Sequence, residues 1–500
     1  MAISTAVDIS AVARVLGIKT NFKNLRDGRV VILPQRIALI GQGSTGMVFA
    51  TSKRQVTSAN EVGSLYGYGS PLHLAAKQLF PNNGDGVGTI PVTVYPLSDA
   101  DGSQAATGSI ELLGTQLESG AYRVVVNGIR SEQFSILINE AGQTVLNRVA
   151  AAINSVLDMP VRATADSELQ KVTLVSKWKG LSANAISVQV DGDLGQGIEF
   201  AVTQPAGGLI NPSVSGALSQ FGNVWETMVL NCLNIQDTEA LSAYSDFGEG
   251  RWGALVRKPL IVFTGNTEAD VNSAVSVPDA RKRDRTNVQL VAPDSIDLPF
   301  VVASRQLARI VKIANENPAC DYGSQVADGI NPGEDGKQWL YNVRDMAVKK
   351  GSSTIEIRDN QVFIGDVVTF YHPEGEENPP YRYVCDIVKL QNIIFNLNLI
   401  FAVPEWDGAP LIPNDQPTTN PRAKKPSMAV AAIASLVDSL GLNAIISDAA
   451  FTKKNTFAQI NEQNPKRLDV STTVKLSGNT NILSVDLNFG FYFGNSVIVG

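Results

Sequence analysis

The sequence predicts a mixed α/β protein, an α/β core that carries an inserted α+β domain, with strand-like segments at both ends. Three patterns carry that reading. From about residue 225 onward short apolar runs alternate with helix-length segments, the signature of a mostly parallel sheet covered on both faces. Between about 105 and 205 short strands cluster around a single helix, and both chain ends alternate apolar and polar residues one by one.

The N-terminal segment, residues 1–25, sets Ile3, Thr5, Val7, Ile9 and Ala11 against Ser4, Ala6, Asp8 and Ser10 until Gly17 breaks the run, which predicts a strand. Residues 26–104 form the first part of the core. A strand spans Arg29 to Ile40 with Pro34 inside it and ends in the glycine-rich GQGSTG. A helix follows from Pro71 to Phe80, where Leu72, Ala75, Ala76 and Leu79 share a face, and the turn-rich NNGDGVG closes the section.

The inserted domain is assigned to residues 105–205. Its strands are YRVVVNG, QFSILIN, KVTLVSK and ISVQV. Its helix runs from Thr144 to Leu157, with Val145, Val149, Ile153 and Val156 at helical spacing. The second part of the core, residues 206–465, brings the strands MVLNCLN, PLIVFTG and TNVQLVAP, with helices between them and a long one over LPFVVASRQLARIVKIANEN. TIEIRDN and QVFIGDVVTFYH make a hairpin turning at Asp359 and Asn360. Asp386 to Phe401 fits helical spacing, and a proline-rich surface connection leads to an alanine-rich buried helix from Met428.

The terminal section, residues 466–500, alternates twice. Leu468, Val470, Thr472, Val474 and Leu476 lead into the turn SGNTN; Leu483, Val485, Leu487, Phe489, Phe491 and Phe493 follow, opposed by Ser484, Asp486, Asn488 and Gly490. The pattern predicts a hairpin, turning at SGNTN and ending in a long half-buried strand. By alternation alone, the favoured reading is that both ends are strands that close the chain's own sheet.

Composition narrows the chemistry. A 500-residue chain that is 44% hydrophobic and 18% charged is expected to fold into several domains. Its net charge of -7 argues against a surface built to neutralise phosphates. Cys232, Cys320 and Cys385 stand far apart in sequence and form neither a disulfide framework nor a CxxC site, which fits folding in a reducing cytosol. The first residues lack a signal-peptide pattern.

Gly41, Gly43 and Gly46 make a literal GxGxxG after a strand, but a dinucleotide turn needs a helix opening at once, and MVFATSKRQVTSANEV has no apolar helical face. Glu61 reads as part of a turn. His73 and His372 are the chain's two histidines, and neither stands in a metal-ligand spacing. The reading is therefore of a structural protein with no catalytic, metal or cofactor-binding residues, and a nucleotide-binding α/β enzyme is the rival class.

Several blocks, in order, resemble a known family. RIALIGQGSTG followed by VTSANEVGSLYGYGSPLHLAAKQLF is similar to the opening of the Mu-like branch of phage contractile tail sheath proteins. LNRVAAAINS, MPVRATA and KVTLVSKWKGLSANAI resemble that branch's protruding domain, and TIEIRDNQVFIGDVVTFY with the terminal hairpin resembles its C-terminal part. The order of the blocks, more than any one motif, carries the likeness.

The resemblance implies extended terminal β arms exchanged between subunits, with Val7, Ile9, Leu483, Val485, Leu487, Phe489 and Phe491 as exchange residues. It implies stacked hexameric rings of this chain around a tail tube, contracting to drive the tube through a host envelope, with Gly17 and the turn Ser477 to Asn481 as candidate hinges; ordinary loop flexibility is the competing explanation for both. The implied partners are the chain itself, the tube protein, a baseplate and a tail terminator, with no nucleic acid and no membrane insertion. The implied location is a virion tail assembled in the host cytoplasm, or else a non-viral injection device such as a bacteriocin tail. Lys453 and Lys454 can face an acidic tube, and a surface loop explains them equally well.

Overall fold

The computed structural model describes residues 30–114, 117–192, 197–376, 379–487 and 489. The strand expected around Val7 and Ile9 lies outside them, as does the hinge expected at Gly17.

The chain enters the core along β1 (Ile37–Gln42), β2 (Arg54–Val56), α1 (Ala59–Tyr66), α2 (Pro71–Leu79) and β3 (Val92–Leu97). The expected strand from Arg29 begins only at Ile37. Upstream of it the backbone is spoken for by side chains instead of a ladder: the N–H of Val31 donates to Asn396 Oδ1 and that of Leu33 to Asn392 Oδ1, each at 2.8 Å. Ser70 caps α2 through the His73 N–H, with Pro71 in the first turn, where its missing N–H costs no helical bond.

The inserted section holds β4 (Ala105–Gly114), β5 (Gly120–Val126), β6 (Ile129–Arg130), β7 (Phe134–Ile136), α3 (Gly142–Asn154), β8 (Val161–Asp166), β9 (Lys171–Lys179), β10 (Val188–Gly192) and β11 (Ile198–Ala206). One antiparallel sheet runs β11-β4-β9-β8, and a second joins β10, β5, β6 and β7. Val145, Leu146, Val149, Ala150 and Ile153 are the buried stripe of α3.

The core resumes with α4 (Ser215–Ser219), β12 (Met228–Asn231), α5 (Thr238–Trp252), β13 (Ile261–Asn266), α6 (Val271–Ala280), β14 (Asn287–Val291) and α7 (Pro299–Glu316). Its sheet has the order β14-β13-β12-β1-β3-β2, parallel throughout except for the antiparallel edge strand β2. Parallel strands need crossovers, and helices supply them. Alternate residues of β1 serve opposite faces: Ile37 and Leu39 pack with Leu72, Leu79 and Leu307, while Ala38 and Ile40 pack with Phe221, Ala240 and Tyr244.

Beyond the sheet come α8 (Tyr341–Lys349), β15 (Ile355–Arg358), β16 (Gln361–Ile364), α9 (Val384–Phe401), α10 (Pro426–Leu442), α11 (Ala449–Lys454), β17 (Thr456–Ile460) and β18 (Leu468–Thr472). Asp359 and Asn360 turn the β15–β16 hairpin at φ of 49° and 60°, left-handed values that suit a two-residue turn. The C-terminal hairpin differs from expectation. Leu468–Thr472 pairs with Thr456–Ile460, which precedes it, and residues 483–487 form no strand in this chain. The α9 helix is long and apolar enough to cross a bilayer, but half of it is buried within the protein, including Lys389, Gln391, Asn392 and Asn396.

Candidate assembly surfaces

The terminal segment starts from a fixed root. Ile446 and Leu476 form a β-bridge, and the Ser477 N–H donates to Ile445 O at 3.2 Å. The Lys389 side chain, 0% exposed on α9, then spends its three donors on Asp386 Oδ1 at 2.9 Å, Ser477 O at 2.6 Å and Asn479 Oδ1 at 2.6 Å. Asn479 Nδ2 donates in turn to Ala319 O at 2.8 Å. The turn expected to act as a hinge at Ser477 to Asn481 is therefore tied to the core through residue 479. Sequence reasoning missed Lys389, because a lone lysine in an apolar helix carries no spacing signal; burial reveals it.

Past the root the picture changes. Thr480, Asn481 and Ile482 wall one side of a cavity of about 510 Å³ lined also by Asp321, Arg344, Asp366 and Tyr383. Burial, joined by the Asp321 charge, pushes the Asp366 carboxyl above the usual carboxylate range; burial also raises Asp321. Leu483, Val485, Leu487 and Phe489 are 80%, 73%, 75% and 86% exposed. Ser484 and Asp486 are exposed as well, so from Leu483 to Leu487 both sides of the run face outward, although the pattern suits a strand with one buried face. Phe491 lies outside the described residues.

The other expected residues lie on α11. Lys453 Nζ is 2.5 Å from Asp438 Oδ1 of α10, whereas Lys454 is exposed. The structure thus gives the two neighbouring lysines different surroundings.

The glycine-rich loop opens no helix; α1 starts only at Ala59. A Cβ at Gly41 would lie 2.8 Å from Cys232 Cβ, and one at Gly43 would lie 2.4 Å from the Phe49 ring, so close packing accounts for both glycines. Gly46, at φ +81°, makes the turn. The loop then seats the inserted domain. Thr45 N–H donates to Lys177 O at 2.6 Å, and Gln42 Nε2 donates to Lys179 O at 2.7 Å. Lys177 Nζ donates to Tyr68 O and Leu157 O, each at 3.0 Å, and burial lowers its pKa to about 8.

His73 is buried in α2. His372 Nδ1 lies 2.7 Å from Phe370 O and its Nε2 lies 3.3 Å from Asp279. Among the described residues, no group of three His, Cys, Asp or Glu is placed to hold a metal ion.

Fold and surface together describe a mixed α/β protein with several sheets, a β-rich section between β3 and β12, and a strand-patterned terminal segment that is exposed at Leu483 to Leu487. No family model matches the chain. The Mu-like prophage FluMu tail sheath protein of Haemophilus influenzae is 25% identical over 357 residues, 69% of this chain and 70% of that protein. This relative bears out the resemblance to phage contractile tail sheath proteins read from the motifs.

Similar solved structures include the sheath tail protein of Desulfitobacterium hafniense, with TM-score 0.45 and 11% identity over 92% of this chain and 100% of that one. The sheath tail protein of Listeria innocua has TM-score 0.46 and 12% identity over 90% and 94%. A sheath complex of the PVC extracellular contractile injection system, in its contracted state, has TM-score 0.46 and 9% identity over 96% and 99%.

Proposed function

We propose that this chain is a structural subunit of a contractile tail sheath and works by polymerising around a tube. The observation that carries the reading is the terminal segment, in which Leu483, Val485, Leu487 and Phe489 keep a strand's alternation while more than 70% exposed. Joining the sheet edge of a neighbouring copy would give such a segment a row of backbone hydrogen bonds, each worth a net ~0.5–1.5 kcal/mol. Each large apolar side chain buried on the way adds about 1.5–3 kcal/mol. Val7, Ile9 and Phe491 extend the same exchange set.

A donor end and an acceptor edge on one chain make a heterologous contact, which builds open helical assemblies or rings. Six-fold rings stacked with a twist enclose a tube. Contraction is then a change between two packings of the same subunits while the strand linkages persist. The tube protein, a baseplate and a tail terminator are the remaining partners, and Lys454, with Lys453 beside it, is the candidate tube contact. The particle is a virion tail assembled in the host cytoplasm.

Negative-stain microscopy of the purified chain tests this reading. Striated hollow tubes are expected. A chain that stays monomeric at high concentration, with both ends intact, would overturn it.

A further inference from the structure

Three buried polar side chains stand on one face of α9 at positions i, i+3 and i+7: Lys389, Asn392 and Asn396, each 1% exposed or less. Apolar residues would fill a core-facing stripe at lower cost, since burying a lysine forfeits several kcal/mol of hydration unless its charge is matched. The partners of these three explain their presence. Asn392 and Asn396 bond the backbone of Val31 and Leu33, where the N-terminal segment enters, with Asn396 Nδ2 also donating to Val31 O at 2.9 Å. Lys389 bonds Ser477 O and Asn479 Oδ1, where the C-terminal segment leaves.

We propose that α9 is a two-ended anchor, its Lys389–Asn392–Asn396 face fixing the roots of both terminal segments to one rigid helix. Lys389 is the positioning residue for the C-terminal root. What the segments do beyond their roots rests on the sheath reading; the anchoring does not. In an assembly linked through those segments, tying both roots to one helix makes a pull on either reach the other through about two turns of α9 instead of through flexible chain.

Two native thiols report on the anchor. Cys385 Sγ lies 3.6 Å from Asn479 Oδ1, under the C-terminal root, and burial holds its pKa well above the ordinary thiol range. Cys232, directly after β12, is buried beside Gly41 of β1, and Cys320 is exposed. In the full chain carrying Cys320→Ser, thiol labelling of the unassembled protein is followed at both remaining cysteines.

Lys389→Met, which keeps the chain length and removes the three bonds, is expected to speed labelling of Cys385 at least about tenfold while Cys232 stays protected. Unchanged Cys385 labelling overturns the proposal. Should both thiols react, as in general unfolding, Asn479→Ala decides, because it removes the Lys389–Asn479 bond and the Asn479–Ala319 bond from the segment's side and leaves α9 intact. It must raise Cys385 labelling alone, and a Cys385 that stays protected in that variant also overturns the proposal. For the other end, Asn396→Leu should speed amide exchange at Val31. An unchanged rate there removes the N-terminal half. Tube formation is scored separately, so failure of the parent chain to polymerise counts against the sheath reading and leaves the thiol result standing.

Discussion

His73 Nε2 faces Asp158 Oδ1 at 3.9 Å across the seam between α2 and the inserted domain, while its Nδ1 accepts the Gly69 N–H at 3.1 Å. Burial dominates this histidine and lowers its pKa to about 4; Asp158 pulls the other way, and Lys77 and Lys177 reinforce the lowering. Above the ordinary value near 6.5 both folded and unfolded chains carry the neutral ring, and stability is whole. As pH falls from there toward 4 the unfolded chain takes up a proton that the folded chain refuses, so stability is lost through that window. Urea unfolding at pH 7 and pH 4.5 should show the parent losing roughly 2–3 kcal/mol more than His73→Gln. Equal losses in the two would show that the ring is not protected as described.

A second expectation concerns the packing of α7 on the sheet. A Cβ at Gly265 of β13 would lie 1.7 Å from Pro299 O and 2.3 Å from Pro299 C, both backbone atoms. Relief therefore requires moving the start of α7, whereas the Gly41 clash is with the Cys232 side chain. Gly265→Ala should cost about 3 kcal/mol or more and Gly41→Ala less, with both read as midpoint shifts in urea. The reverse order would refute this account of the helix–sheet contact.

These cases also show what the sequence makes legible. The parallel strands were readable because uninterrupted runs such as IVFTGN and NVQLV are buried on both faces. The turn at Asp359 and Asn360 was readable because its residues tolerate left-handed backbone. Strands β4 and β8 were not, because small or polar residues such as Ala106, Ser109 and Ala163 fill buried positions where a larger apolar residue would have marked the strand, and β11 was not because it buries little beyond Ile198 and Pro205. The C-terminal pairing escaped for another reason. Leu468 to Thr472 alternates equally well toward either neighbour, and only three-dimensional contact selects Thr456–Ile460. Of the candidate site, the exposed alternating residues were visible in the sequence, while Lys389, Asn392 and Asn396 gained meaning only from what lies across from them.

The seam between the inserted domain and the core rests on an aromatic contact. Trp178 of β9 is fully buried, donates Nε1–H to Ser182 Oγ at 3.0 Å and meets Phe300 of α7 edge-on at 6.0 Å between centroids. Trp178→Ala should cost about 3–5 kcal/mol. Because the contact bridges two sections, the loss should appear as protease cleavage between the inserted domain and the core before the core itself unfolds. Cleavage that first strikes within the parallel sheet would contradict that placement.

The last expectation separates folding from assembly. Residues Leu483 to Leu487 contribute little to their own chain's packing: Leu483, Val485 and Leu487 are at least 73% exposed, and the root that precedes them is already held at Ser477 and Asn479. If the rest of the segment is donated to a neighbouring copy as proposed, deleting Leu483 to Gly500 should leave the melting temperature of the unassembled chain within a few degrees of the parent. The same deletion removes the proposed donor strand, so the shortened chain should remain soluble and fail to form tubes under conditions in which the parent does. Calorimetry and negative-stain microscopy on the two proteins read the two halves independently. Normal tubes from the shortened chain would mean that the exchange set does not lie in this segment, and a large fall in melting temperature would mean that the segment folds back on its owner.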